Sequence, residues 1–155
     1  MAHGPRWIGD RYRLEHRLGA GGMGEVFRAW DERLQRAVAI KMLFRPSAAN
    51  ASDEALRALA LREARAVAAL GHPNIVQIHD VDEHDGEPFT VMELLEGTSL
   101  RDLVGRNDVP LAQRVDWLLD LAAALDVAHA AGLVVKGSHT GSRGAQTPTL
   151  AVSAS

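Results

Sequence analysis

The sequence contains no cysteine among its 155 residues. Without cysteine the chain can form no disulfide, offers no thiolate nucleophile and cannot bind a metal through sulfur. This composition is compatible with a reducing compartment, and we expect the chain in the cytoplasm. It also lacks any run of about 18 apolar residues, and no apolar segment follows the charges at the N-terminus. Neither a membrane-spanning helix nor a secretory signal is therefore predicted.

The chain also has little net charge, with a formal value of −3 at pH 7. So small a charge provides no bulk attraction to nucleic acid or to an anionic membrane, and neither is predicted as a partner. The seven histidines do not have the spacing of a metal site, so no metal ligands are predicted. The hydrophobic fraction of 46% fits one globular domain with a buried core.

Alternation of apolar and polar residues predicts five strands, three before a helix and two after it. The predicted strands are Arg11–Leu18, Glu25–Trp30, Arg36–Phe44, Ile75–Val81 and Phe89–Leu95. The helix is expected from Ser52 or Asp53 to Leu70, and Asp85-Gly86 is typical of a hairpin turn. This order indicates an α+β fold with an antiparallel sheet.

Helical patterns follow the last predicted strand. A short helix is expected over Ser99–Val104, and Pro110 opens a long helix that runs from Leu111 to Ala131 and ends at Gly132. Most of the last 19 residues are Gly, Ser, Thr or Ala. Such a segment buries too little apolar surface to offset its ordering entropy, so we expect it to be disordered.

A glycine-rich segment separates the first two predicted strands. It has the form G-x-G-x-x-G and consists of Gly19, Ala20, Gly21, Gly22, Met23 and Gly24. Glycine permits positive φ and close backbone approach, as a phosphate-binding loop requires, although such clusters also form ordinary flexible loops. A dinucleotide-binding fold would need a helix directly after the last glycine. Because Glu25–Arg28 alternates like a strand, the pattern favours a hairpin that covers a nucleotide.

A lysine and a glutamate lie on faces that would normally be apolar. Lys41 follows Ile40 in the middle of the third predicted strand, where a charge needs a partner unless it reaches solvent from an edge. Glu63 falls on the apolar stripe of the predicted helix. A carboxylate facing the core is costly unless a cation meets it. Lys41 and Glu63 are therefore predicted to pair.

Taken in order, these features resemble the Hanks-type protein kinases, in particular the bacterial serine/threonine kinases. The resemblance extends over about residues 12–134. It rests on five segments, which are Leu18–Val26 as the glycine-rich loop, Val38–Lys41 as the V-A-I-K strand, Arg62–Ala64 in the αC helix, His72–Val76 as the following turn and strand, and Val91–Glu93 as gatekeeper and hinge.

The resemblance implies a kinase-like organisation of the chain. Residues 11–96 would form the N-lobe, with a five-stranded antiparallel sheet and the αC helix. Residues 97–134 would leave the hinge and form the first C-lobe helices, αD and αE. Residues 1–10 would be a flexible N-terminus, and residues 135–155 a disordered tail.

The resemblance also implies ATP as the ligand, with Mg²⁺ in the family, and assigns roles to residues. Backbone amides of Gly19–Gly24 would cover the phosphates, after Leu18 at the end of the strand. Lys41, itself paired with Glu63, would bind the α- and β-phosphates. Around the adenine, Val26 and Ala39 would pack on the ring, Met92 would be the gatekeeper, and the backbone of Glu93 and Leu95 would bind the ring's edge.

The similarity breaks where the catalytic loop would begin. The family continues after Gly132-Leu133-Val134 with His-Arg-Asp, whereas the position of the catalytic Asp is occupied by Gly137. No Asp or Glu occurs after Asp126, so the base and the magnesium ligands of the family are missing. No catalytic residue and no metal ligand is therefore assigned. The abrupt change indicates a frameshifted or truncated gene product.

Three hypotheses follow. The chain is an ATP-binding kinase fragment without catalytic competence, or a kinase-like interaction module that needs no nucleotide, or a fragment of a longer active kinase. The apolar stripe of the helix over 111–131 favours a protein partner or self-association, since a stripe left uncovered would form an exposed patch.

Overall fold

The computed structural model describes residues 6–21, 24–43, 51–98, 100–103, 106, 108–133, 138–143 and 147–152. Its helices are α1 (Ala51–Ala68), α2 (Leu100–Leu103) and α3 (Leu111–Ala130). Its strands are β1 (Trp7–Ile8), β2 (Tyr12–Gly21), β3 (Gly24–Asp31), β4 (Arg36–Met42), β5 (Ile78–His84), β6 (Glu87–Glu93), β7 (Ser138–Arg143) and β8 (Thr147–Val152).

The chain divides into two compact units. The first consists of Met1–Ala64 and Ile78–Leu94, and within its described residues six strands form an antiparallel sheet in the order β1-β2-β3-β4-β6-β5. The second consists of Arg65–Gln77 and Leu95–Ser155 and contains α2, α3 and the β7–β8 pair. The predicted α+β fold with its central antiparallel sheet is confirmed.

One face of the six-stranded sheet forms the core of the first unit, and we call it the core face. Its buried cluster consists of Ile8, Tyr12, Leu14, Ala29, Val38, Ile40, Met42, Phe89 and Val91. Val38, Ile40 and Met42 alternate along β4, as the period of a strand requires. The alternate residues Ala39 and Lys41 therefore point to the opposite face.

Two turns form where the sequence indicates them. Asp85 and Gly86 join β5 to β6 with φ angles of 52° and 77°, the left-handed pair expected of an Asp-Gly hairpin. Gly132 ends α3 with φ 76°. Its N–H donates to the His129 carbonyl at 2.9 Å, and the Leu133 N–H donates to the Ala128 carbonyl at 3.0 Å. These two bonds satisfy carbonyls that the helix end would leave unpaired.

The N-terminal segment differs from the expectation. Trp7 and Ile8 were expected in a flexible segment, yet they pair with Arg13 and Tyr12 and make the sheet six-stranded. Ile8 is buried in the core, and this burial offsets the cost of ordering the short strand. In the second unit, β7 and β8 form an antiparallel pair that runs from Ser138 opposite Val152 to Arg143 opposite Thr147.

The helices bury only part of the apolar stripes that their sequences predict. In α1, Val67 of the predicted stripe is 3% exposed, whereas Leu59 of the same stripe is 45% exposed. In α3, Ala128 of the predicted stripe is buried together with Trp117 and Ala124, whereas Leu118 of that stripe is 66% exposed. Periodicity indicates that a helix has an apolar side, but the partner surface decides which residues are covered.

Candidate functional site

The β2–β3 hairpin carries the glycine-rich segment. Gly19 lies opposite Val26 and Ala20 lies opposite Glu25, so the ladder continues up to the pair of Gly21 and Gly24. Gly24 has φ 112°, a backbone conformation that residues with a side chain rarely adopt. The segment is therefore the turn of a hairpin, as the sequence predicts. Gly22 and Met23 lie outside the described residues.

Strand register places four predicted site residues on one face of the sheet. Val26 on β3 lies directly opposite Lys41 on β4, and Ala39 lies directly opposite Met92 on β6. Directly opposed residues of an antiparallel pair project to the same side. We call this side, which carries Val26, Ala39, Lys41 and Met92, the site face.

The site face combines an apolar surface with one cation. Ala39 is 5% exposed, and Val26 and Met92 are partly buried around it. Lys41 is partly buried, and this burial lowers the pKa of its ammonium group, since removing a charge from water favours its neutral form. A flat apolar surface beside a poorly solvated cation can bind a heterocycle that carries an anionic group.

The predicted pairing of Lys41 with Glu63 is absent from this arrangement. Both residues are described, and none of the ion pairs formed within the described residues joins them. Burial is the one cause of the lowered pKa of Lys41, with no contribution from a neighbouring carboxylate. Glu63 is partly buried on α1, as its place on the predicted apolar stripe indicates. It does not pair with Lys41.

Two further residues share the site face but were not among the predicted site residues. Thr90 is 3% exposed and lies directly opposite Lys41, and Arg28 lies directly opposite Ala39. Each is two residues from a predicted one on its own strand, so the period of two along a strand could have identified both. Their positions extend the site face on β3 and β6.

The other predicted site residues lie on β2, at the end of β6 and just after β6. Leu18 is 48% exposed at a register shift of β2. Glu93 ends β6 opposite Val38, and Leu95 is the first residue of the second unit's long segment. Gly137, at the position of the family's catalytic Asp, lies outside the described residues.

Comparison with known proteins decides the family. The protein kinase domain family matches residues 12–136. The chain belongs to the protein kinase family. A probable serine/threonine-protein kinase of Streptomyces coelicolor is 40% identical over 136 residues, which is 84% of this chain and 20% of that protein. Serine/threonine-protein kinase PknD of Mycobacterium tuberculosis is 42% identical over 123 residues, 79% of this chain and 18% of that protein.

Solved structures agree with this assignment. The kinase domain of Mycobacterium tuberculosis PknI superposes with a TM-score of 0.72 at 25% identity, covering 98% of this chain and 62% of that chain. The kinase-like fold and the serine/threonine kinase resemblance are thus confirmed. The chain spans about a fifth of the length of the curated relatives it matches. None of the helices in the described ranges is long and apolar enough to cross a membrane.

Proposed function

We propose that this chain binds ATP on the site face of its six-stranded sheet. The observation that carries the proposal is Lys41, a partly buried cation with a lowered pKa and no ion pair to Glu63. It lies beside the apolar surface of Val26 and Ala39. An anionic ligand would compensate the charge of Lys41, and a flat base would cover the apolar surface.

The proposed roles of the site residues follow from their positions and from the family. Lys41 binds the α- and β-phosphates, and the backbone of Gly19–Gly24 covers them, because glycine allows close approach. Val26 and Ala39 pack on the adenine, with Met92 behind it. The backbone of the hinge, at Glu93 and Leu95, binds the edge of the base.

The residues described here do not fit a magnesium site. The family uses ATP with Mg²⁺, whose ligands are oxygen atoms. Among the described residues, no group of three or more His, Asp or Glu side chains could hold a metal ion. We propose no magnesium ligand among the described residues.

We further propose that the 155-residue chain does not transfer phosphate. Phosphoryl transfer depends on positioned electrostatic groups and an oriented nucleophile. The sequence has Gly137 where the family has its catalytic Asp. Autophosphorylation that is lost on Lys41→Ala would contradict this proposal and would favour an active kinase.

Blocking the adenine surface tests ATP binding. Ala39→Phe places a large ring where the base would lie, and we expect it to raise the Kd for ATP by at least about tenfold, measured by isothermal titration. The matched control is Leu34→Phe, which adds a ring at an exposed turn at the other end of β3. Wild-type protein that binds no ATP at millimolar concentration would refute the proposal.

A second candidate function is protein interaction through α3. Four large apolar residues on one side of this helix are exposed, namely Leu111, Val115, Leu118 and Leu119. Their spacing of four, seven and eight residues matches that of paired amphipathic helices, and we propose a second copy of this chain as the partner.

Sedimentation measurements test this second candidate. We expect the wild-type chain to associate at micromolar concentration and Leu118→Glu to be monomeric, because a buried unpaired carboxylate opposes helix pairing. The control is Ala130→Glu at the exposed C-terminal end of the same helix, eleven residues beyond Leu119. A wild-type chain that stays monomeric at all concentrations would exclude self-association through α3.

A further inference from the structure

Strand β2 contains two β-bulges in the part that leads to the glycine-rich segment. The first register shift falls between Leu14 and His16, and the second falls between Arg17 and Gly19. At each shift β2 has one residue more than β3. The two bulges together advance β2 by two residues relative to a regular ladder, so that Gly19 lies opposite Val26. We call this pairing the bulged register.

A ladder without these bulges, which we call the regular register, would be favoured by the sequence of the turn. The pairs up to Leu14 and Ala29 would stay as they are. Beyond them Arg17 would lie opposite Val26, and Gly21-Gly22 would form a two-residue turn. Gly-Gly is among the pairs preferred in such turns, because glycine tolerates positive φ angles. Register is weakly specified in glycine-rich strands, so an interaction outside the turn must favour the bulged register.

An ion pair between Arg17 and Glu25 is specific to the bulged register. Nη1 of Arg17 lies 2.9 Å from Oε1 of Glu25. Arg17 lies opposite Phe27, and Glu25 is two residues from Phe27 along β3, so both charged side chains project to the same side of the hairpin. In the regular register Arg17 would lie opposite Val26 and would project to the other side. The sheet would then separate the two charges.

Two other ion pairs of the β2–β3 hairpin show no such dependence on the register. Arg28 pairs with Glu15, which is the extra residue of the first bulge and would lie directly opposite Arg28 in the regular register. Arg13 pairs with Glu32 at 3.2 Å, at the end of the hairpin where the two registers coincide. These pairs stabilise the hairpin without choosing between the registers.

The register decides what β2 places beside Val26 on the site face. In the bulged register this neighbour is Gly19, which has no side chain, and Val26 lies opposite Lys41 on its other flank. In the regular register the neighbour would be Arg17. Its long cationic side chain would then lie on the apolar surface assigned to the adenine.

We propose that the ion pair of Arg17 with Glu25 positions the glycine-rich segment by selecting the bulged register. This inference rests on the proposed function, because it concerns the surface that the adenine would cover. The two side chains are 59% and 45% exposed, so their pairing contributes little to the stability of the whole protein. A small free-energy difference is nevertheless enough to choose between two registers of similar stability. Loss of the pair lets β2 slip by two residues and moves Arg17 onto the site face.

Charge reversal in the nucleotide-free protein tests the register directly. Cross-strand NOEs measured by NMR show which residue lies opposite Val26, and the wild type should show contacts between residues 19 and 26. Glu25→Arg repels Arg17 in the bulged register. We expect it to weaken these contacts and to produce contacts between residues 17 and 26, with a change of at least about fivefold in their ratio. The swapped variant Arg17→Glu/Glu25→Arg should restore the wild-type ratio.

Glu32→Arg is the matched control for charge reversal. It disrupts the ion pair with Arg13 in the same hairpin, where the two registers coincide, and should leave the ratio at the wild-type value. Retained melting transitions establish that the variants are folded. Should Glu25→Arg be unfolded, Glu25→Gln decides, because it removes the ion pair without adding a charge. The inference is refuted if the folded variant at residue 25 keeps the wild-type contacts, or if the charge swap does not restore them.

ATP binding provides the second readout. If the proposed function holds, Glu25→Arg raises the Kd for ATP at least about fivefold, and the charge swap restores it. A cation added near the phosphates would by itself lower the Kd, so weaker binding indicates the change of register. A changed register with an unchanged Kd would refute a role of the ion pair in the site. A changed register without ATP binding in any protein, the wild type included, supports the positioning role and refutes the proposed function instead.

Discussion

Lys41→Met should abolish ATP-dependent stabilisation while leaving the ligand-free protein at least as stable as the wild type. The ammonium group of Lys41 is partly buried, and burial lowers its pKa. Methionine keeps the length of the side chain and removes the charge, so the cost of desolvation disappears. Without the cation the phosphates lose their main electrostatic partner, and saturating ATP no longer provides the stabilisation of about 2.7 kcal/mol expected at 100 times the Kd.

Urea unfolding with and without ATP measures both parts of this prediction. Because the folded protein holds the pKa of Lys41 below its usual value, the unfolded chain binds more protons in the alkaline range. Wild-type stability should therefore rise as the pH increases from the folded pKa toward the usual lysine value, and Lys41→Met should lack this rise. Arg62→Met is the control and should bind ATP normally. Wild-type ATP affinity in Lys41→Met would exclude Lys41 from the site.

The second large effect is expected at Asp31, in a network at the end of β3 away from the glycine turn. Asp31 is fully buried, and Arg11 donates to it through Nε at 3.0 Å and through Nη2 at 2.8 Å. Its Oδ1 also accepts the backbone N–H groups of Arg33 and Leu34. Burial alone would raise the pKa of Asp31, but the hydrogen bonds from Arg11 and the two backbone groups outweigh it and lower the pKa.

Asp31→Ala should destabilise the protein by about 2–3 kcal/mol, because it removes these hydrogen bonds and leaves the guanidinium of Arg11 without its main partner. Arg11 keeps a second contact at 3.2 Å to Asp80, so the loss is not larger. The control is Glu32→Ala, whose carboxylate pairs with Arg13 at the surface and should contribute less than about 0.5 kcal/mol.

The pH dependence of this difference has a defined sign. A carboxyl group with a lowered pKa in the folded state stabilises the protein above its unfolded pKa, and this contribution is lost as the pH falls through the folded pKa. The stability difference between wild type and Asp31→Ala should therefore be full at neutral pH and shrink below about pH 4. Equal urea midpoints for Asp31→Ala and Glu32→Ala at pH 7 would contradict the assigned role of the network.

Local sequence patterns predicted the strands and turns of the first unit, because the backbone preferences that form a strand or a turn depend on a few neighbouring residues. The alternation Val38–Met42 indicated a strand with two faces, and those faces became the core face and the site face. Asp85-Gly86 indicated its turn, since few other pairs tolerate two positive φ angles. The hairpin at Gly19–Gly24 was predicted for a related reason, because the residues after it alternate like a strand.

Contacts between distant segments were not predictable in this way. The pairing of Trp7-Ile8 with β2 depends on a core that only the assembled sheet provides. Thr90 is two residues from Met92 on its strand, but only the register of β4 and β6 shows that it lies opposite Lys41, 49 positions away in the sequence.

The sequence by itself determined the family, the strands and turns of the sheet, and the chemical identity of the site residues, because these depend on local backbone preferences and on the order of motifs. The tertiary structure alone decided which of those residues meet. Lys41 lies with Val26, Ala39 and Met92 because strand register brings them together. It forms no ion pair with Glu63, because the position of a helix depends on its packing contacts and not on its own periodicity.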